Sequence, residues 1–183
     1  MIPFSPPRID EETVKEVREA LLSGWITTGP KTKQFEKELA EYCGNKKTLC
    51  VSSGTEGMEL ALKWFGVGEG DEVIIPVYTY CATAHAVLKC GAKPVMVDCN
   101  KRDFNMDVFQ LKEKITENTK VILPVDVGGY PCDYDEIYKL INNSAIKNKF
   151  TSSNENQEQL GRIMVLSDAA HSLGGEYKGK MCG

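Results

Sequence analysis

Histidine is scarce in this chain, limited to His85 and His171, and none of the seven cysteines stands in a Cys-x-x-Cys pair. A zinc-type centre needs closely spaced thiolate or imidazole ligands, so no structural metal is expected. Long apolar runs are also missing, since nothing approaches the roughly 18 to 20 residues that cross a bilayer. The N-terminus Met1-Ile2-Pro3-Phe4 lacks the charged stretch and apolar core of an export signal. The expectation is therefore a cytoplasmic protein in which Cys43, Cys50, Cys81, Cys90, Cys99, Cys132 and Cys182 are buried reduced thiols. Positive charge is not in excess, with 22 Lys and Arg against 26 Asp and Glu and a pI near 5.3. Nucleic acid and anionic membranes are thus unsupported as partners. Neither GxxxxGK[ST] nor GxGxxG occurs, which removes the motif support for ATPase and dinucleotide-binding readings. No internal repeat of solenoid period is present.

What the chain does have is a core. Its 183 residues are 42% apolar and 26% charged, the balance of one folded globular domain. In the segment 1–44, Val14, Val17 and Leu21 recur at helical spacing between Asp10 and Leu22, and Ser23-Gly24 offers a stop. The turn Trp25-Ile26-Thr27-Thr28-Gly29-Pro30 leads into a second helix with Phe35, Leu39 and Tyr42 on one face. From 45 to 183, short apolar runs alternate with helical stripes, which predicts an α/β fold with a mainly parallel sheet and helices on both faces. The runs are Thr48 to Val51, Glu72 to Ile75, Pro94 to Val97, Lys120 to Leu123 and Ile163 to Leu166. The polar stretch 142–161 is expected to be a solvated insertion without chemistry.

Ligands of open α/β sheets collect outside the carboxyl ends of the strands, so the residues following each run are the candidates. The first run feeds Ser52-Ser53-Gly54-Thr55-Glu56-Gly57 and then an amphipathic helix. Free N–H groups and the positive end of the helix dipole attract an anion there, Gly54 permits close approach, and Ser53 or Thr55 adds a hydroxyl. Plain helix capping is the competing reading. The second run ends in Tyr78-Thr79-Tyr80-Cys81-Ala82-Thr83, where either tyrosine could cover a flat ligand or simply pack. The fifth ends in Ser167-Asp168-Ala169-Ala170-His171. A carboxylate after a buried run calls for a cation, a metal or several donors. A protonated pyridine nitrogen is one such cation, and an N-cap is the alternative. His171 alone reads equally as a structural histidine.

Trp25 to Pro30, Ser53-Gly54-Thr55, Tyr80 to Thr83 and Asp168-Ala169-Ala170-His171 together, in order and spacing, resemble the DegT/DnrJ/StrS-type sugar aminotransferases. The resemblance spans nearly the whole chain. It implies the large domain of a fold type I enzyme dependent on pyridoxal 5'-phosphate, a homodimer that takes an amino group, usually from glutamate, to a nucleotide-linked keto sugar in polysaccharide biosynthesis. By matching positions, Ser53, Gly54 and Thr55 would hold the phosphate, Tyr80 would stack on the ring, Asp168 would bind the pyridine nitrogen and His171 would lie near the phenolic oxygen. Thr27 and Thr28 would fall in the substrate loop; an ordered turn is their alternative.

Two features depart from the family. Asp126-Val127-Gly128-Gly129-Tyr130-Pro131 lacks the histidine common before the glycine-rich turn, and no lysine up to Gly183 matches the family's Schiff-base lysine. Lys178 and Lys180 read as members of a tight turn facing water. The expectation is that the lysine, the last strands and a small C-terminal domain lie beyond Gly183, and that these residues alone are inactive. A sugar dehydratase of the same fold, with histidine in place of lysine, and a non-catalytic binding module are the alternatives.

Overall fold

Four of the apolar runs form one parallel sheet in the computed structural model, which describes residues 6–183. The chain divides between Cys50 and Val51 into two units.

The first unit holds α1 (Glu11–Leu22) and α2 (Pro30–Cys43). Asp10 caps α1 by accepting from the Thr13 N–H at 3.0 Å, and Gly44 ends α2 in a left-handed conformation that glycine adopts without strain. Lys31 pairs with Glu16 across the two helices. No residue of either helix is buried, so the apolar stripes read from the sequence are present but face outward. In the connecting turn the Trp25 indole donates to the Thr28 carbonyl at 3.0 Å. The ring lies so close to Gly29 that an added Cβ would stand 2.2 Å from it.

The second unit begins with α3 (Gly54–Trp64), then β1 (Glu72–Pro76), α4 (Cys81–Lys89), β2 (Lys93–Val97), α5 (Val108–Lys114) and β3 (Thr119–Ile122). After these come α6 (Tyr134–Ile141), α7 (Ser144–Lys147), α8 (Glu155–Leu160) and β4 (Met164–Val165). The strands pair in parallel in the order β2-β1-β3-β4. Alternation along each strand sends Val73, Ile75, Val121 and Leu123 to one face, where Met58, Leu62 and Phe65 of the α3 region and Val87 of α4 meet them. It sends Ile74 and Ile122 to the other, against Leu111, Ile137 and Ile141 of α5 and α6. A sheet buried on both faces needs strands apolar throughout. Each fully buried Ile or Leu contributes about 1.5–3 kcal/mol. The fold class expected from the sequence is thus the one observed.

Three expectations are corrected. Residues 48–51 form no strand: they find no ladder partner among the described residues, and Leu49 is 71% exposed. Residues 142–161 are not merely solvated. Ile146 and Gln157 are buried, and the amides of Asn154, Asn156 and Gln157 reach the Phe65 and Trp64 carbonyls at the end of α3. The cysteines differ too, because only Cys132 and Cys182 are buried while Cys81 is exposed.

Lys178 lies in, and Lys180 directly follows, the turn of a small hairpin, β5 (Glu176–Tyr177) and β6 (Lys180–Met181). Positive φ at Lys178 and Gly179 is what a two-residue hairpin turn requires. Lys178 is held by Asp135, and both lysines are exposed, as the tight-turn reading expects.

Candidate functional site

Helix α3 ends shortly before β1 enters the sheet and α4 starts shortly after β1 leaves it, so both helices begin at the carboxyl edge of the strands. They pack against each other, and their first turns carry two of the sequence-predicted groups.

At α3, Ser53 is the N-cap, its Oγ accepting from the Glu56 N–H at 3.1 Å. Capping is therefore real, but it leaves the Ser53 hydroxyl proton free to donate. The N–H groups of Gly54 and Thr55 have no partner among the described residues, as the first turn of a helix dictates. A Cβ built on Gly54 would meet nothing within 4 Å. No described residue requires glycine there. Glu56 brings negative charge to this turn, and the Ser52 hydroxyl holds its carboxylate.

At α4, Tyr80 is the N-cap residue and is 78% exposed, so no described residue packs over it. Tyr78 differs: its ring lies 5.5 Å from that of Phe104. Thr83, in the first turn of α4, is fully buried and donates to Asp168 Oδ2 at 3.3 Å.

Asp168 follows β4 and is half-buried, less enclosed than its place after an apolar run suggests. Its N–H donates to the Pro124 carbonyl at 2.9 Å, and its carbonyl accepts from Asp126 N–H at 3.2 Å. Its Oδ1 accepts from Ala170 N–H at 3.2 Å. His171 is exposed, and its Nδ1 accepts from Gly128 N–H at 3.4 Å. The neutral ring then carries its proton on Nε2. The backbone leaves no slack, since a Cβ on Gly129 would stand 2.9 Å from the His171 carbonyl.

The structure thus brings Tyr80, Asp168 and His171 to the carboxyl edge, linked through Thr83 and Gly128, with the Ser53-Gly54-Thr55 turn on the neighbouring helix. Thr27 and Thr28 lie in the first unit, exposed, and neither hydroxyl bonds to a described residue.

No role for Asp126 or Thr83 follows from the sequence, although both fall in segments that follow strands. Asp126 is buried and accepts from the Ser172 hydroxyl, the Tyr134 hydroxyl and the Cys132 N–H at 2.7, 2.7 and 2.9 Å. It fastens the strand end after β3 to the Asp168–His171 segment. Burial, and next the neighbouring Asp126 charge, push the Cys132 thiol up to about 12. The only available signal was position, since Asp126 also follows a strand.

A cleft of 770 Å³ between residues 100–109, α6 and the hairpin is lined by none of these residues. Among the described residues no cluster of His, Cys, Asp and Glu could hold a metal ion, and no helix is long and apolar enough to cross a membrane.

The chain is similar to known proteins over its whole length. UDP-4-amino-4-deoxy-L-arabinose–oxoglutarate aminotransferase of Shewanella sediminis is 39% identical over 182 residues, 100% of this chain and 42% of that protein. The spore coat polysaccharide biosynthesis protein SpsC of Bacillus subtilis is 38% identical over 182 residues, again 100% of this chain and 42% of its own length. Among solved structures, Spr1654 of Streptococcus pneumoniae, assigned as a sugar aminotransferase, superposes in its PLP form with a TM-score of 0.96 at 47% identity, covering 100% of this chain and 46% of that one. The chain spans less than half the length of these relatives. The family model of the DegT/DnrJ/EryC1/StrS aminotransferases matches residues 7–148, and the chain belongs to that family.

Proposed function

We propose that the protein is a pyridoxal 5'-phosphate-dependent aminotransferase, moving an amino group from glutamate to a nucleotide-linked keto sugar, with these residues forming most of the cofactor site. The observation that carries this is the convergence on one carboxyl edge of an open helix N-terminus, an exposed aromatic ring and a half-buried carboxylate. The residues fit the group: the space beside Gly54 at the start of α3 is open, and Asp168 keeps acceptor capacity beyond its two carboxylate contacts.

Pyridoxal phosphate, when bound, supplies an electron sink for the carbon attached to the migrating nitrogen. The N–H groups of Gly54 and Thr55 and the hydroxyl of Ser53 bind its phosphate, helped by the α3 dipole. Tyr80 covers one face of the ring. Asp168 holds a proton at the pyridine nitrogen by charge, and His171 Nε2–H donates to the phenolic oxygen. Thr27 and Thr28 would contact the sugar nucleotide.

Several lines support the finer reading. Oxoglutarate, named in the Shewanella enzyme, is what glutamate becomes on losing its amino group, and SpsC is named for polysaccharide biosynthesis. The outward-facing Val14, Val17 and Leu21 suit a homodimer. The free thiols of Cys50, Cys81, Cys90, Cys99 and Cys132 suit the reducing cytoplasm.

The test uses the protein from the complete gene, loaded with pyridoxal phosphate and offered glutamate and a panel of nucleotide-linked keto sugars. Formation of 2-oxoglutarate in step with an amino sugar is expected. Cofactor binding without amino transfer would contradict the reading, and borohydride reduction that marks no lysine would then identify the dehydratase chemistry.

A further inference from the structure

We propose that Thr83 is a positioning residue that aims the Asp168 carboxylate at its ligand, as the middle member of a directed hydrogen-bond relay from Thr79 through Thr83 to Asp168. The inference rests on the reading of Asp168 as partner to a protonated ring nitrogen.

The direction of the relay follows from donor chemistry. An ionised carboxylate only accepts, so the 3.3 Å contact between Thr83 Oγ1 and Asp168 Oδ2 is donated by Thr83. A hydroxyl has one proton, so the 2.7 Å contact between Thr79 Oγ1 and Thr83 Oγ1 must be donated by Thr79. Thr79's other acceptor, the Tyr80 carbonyl, is farther at 3.4 Å. Thr83 is 0% exposed, so water cannot replace either partner, and losing one would leave a buried polar atom unmet.

The relay also fixes orientation. Asp168 Oδ1 is tied to Ala170 N–H at 3.2 Å and Oδ2 to Thr83, so both oxygens are anchored and the carboxylate plane cannot swing. Thr83 N–H donates to the Tyr80 carbonyl at 3.1 Å, so the turn that presents the Tyr80 ring also holds the carboxylate 85 positions away in sequence. One helical turn thereby sets the spacing of the two groups that would grip opposite features of a flat heterocycle. Substituting the hydroxyl while keeping the shape of the side chain separates this role from packing.

The experiment uses the complete protein as wild type, Thr83→Val, Thr83→Ser and Thr79→Val. It reads the dissociation constant for pyridoxal phosphate and the ¹⁵N resonance of ring-labelled cofactor, which reports protonation of the pyridine nitrogen. Thr83→Val is expected to weaken binding about tenfold, the scale of one lost charge-assisted hydrogen bond, and to move the resonance toward unprotonated pyridine. Thr83→Ser is expected to restore both, and Thr79→Val to move both less in the same direction, which keeps the relay testable if Thr83→Val does not fold. A Thr83→Val protein that matches wild type, or a Thr83→Ser protein as impaired as Thr83→Val, would overturn the relay while leaving the cofactor reading intact. A wild-type protein that binds no pyridoxal phosphate, or holds its ring nitrogen unprotonated, would overturn both.

Discussion

The side-chain amide of Gln157 donates to the Phe65 carbonyl at 2.8 Å across 92 positions of sequence, while its oxygen accepts from the Ser153 N–H and hydroxyl at 3.0 and 3.1 Å. Helix ends leave carbonyls unpaired, and here the end of α3 is closed by side chains of a distant polar segment. Gln157→Leu should cost about 1–3 kcal/mol of unfolding free energy, because it leaves buried polar groups unmet. Urea denaturation measures this, and an unshifted midpoint would contradict the assigned contact.

Acid sensitivity should trace in part to Glu72, buried at the start of β1. It accepts from the Thr116 hydroxyl at 2.6 Å and Lys93 Nζ at 3.0 Å, and the Thr116 bond foremost holds its pKa below the ordinary 4.5. A pKa lower when folded means that its stabilisation is present above 4.5 and lost as pH falls through the folded value. Between pH 6 and pH 3 the wild type should lose stability more steeply than Glu72→Gln, and parallel urea curves would count against this.

Thiol reactivity should divide sharply. Cys132, pushed up to about 12 chiefly by burial, carries almost no thiolate at pH 8, whereas Cys81 is exposed at the start of α4. A disulfide reagent on native protein should label Cys81 first and Cys132 only on unfolding. Comparable rates at the two positions would show that the Cys132 environment is open.

On the proposed function, Asp168→Ala in the complete protein should slow amino transfer from glutamate to bound cofactor on the order of 100-fold or more, since the charge proposed to keep the ring nitrogen protonated would be gone. Stopped-flow absorbance of the loaded protein measures it, and an unchanged rate would remove Asp168 from the chemistry.

Much of this architecture was legible because burial on both faces writes itself as continuous apolar runs. The runs at 72–75, 94–97 and 120–123 are β1, β2 and β3 to within one residue. Thr48 to Val51 carries the same signal, yet a run records apolarity and not pairing, and no described strand lies beside it. The opposite error arose at 142–161, where Asn154, Asn156 and Gln157 anchor the segment through amide-to-carbonyl bonds that leave no apolar period to read. In the candidate site, Ser53, Gly54, Tyr80 and Asp168 could be proposed from the sequence because each adjoins an element boundary. Thr83 could not, since its role depends on a partner that only the fold brings near.

The most direct test of the pocket is the pyridoxal phosphate dissociation constant of the complete protein against that of Gly54→Val, with melting temperatures in parallel. Open space around Gly54 means valine leaves the fold alone while obstructing a phosphate on the α3 N–H groups. The account predicts about tenfold or greater loss of affinity, about 1.4 kcal/mol, at an unchanged melting temperature. Equal affinity would contradict it and return the Ser53-Gly54-Thr55 turn to helix capping alone.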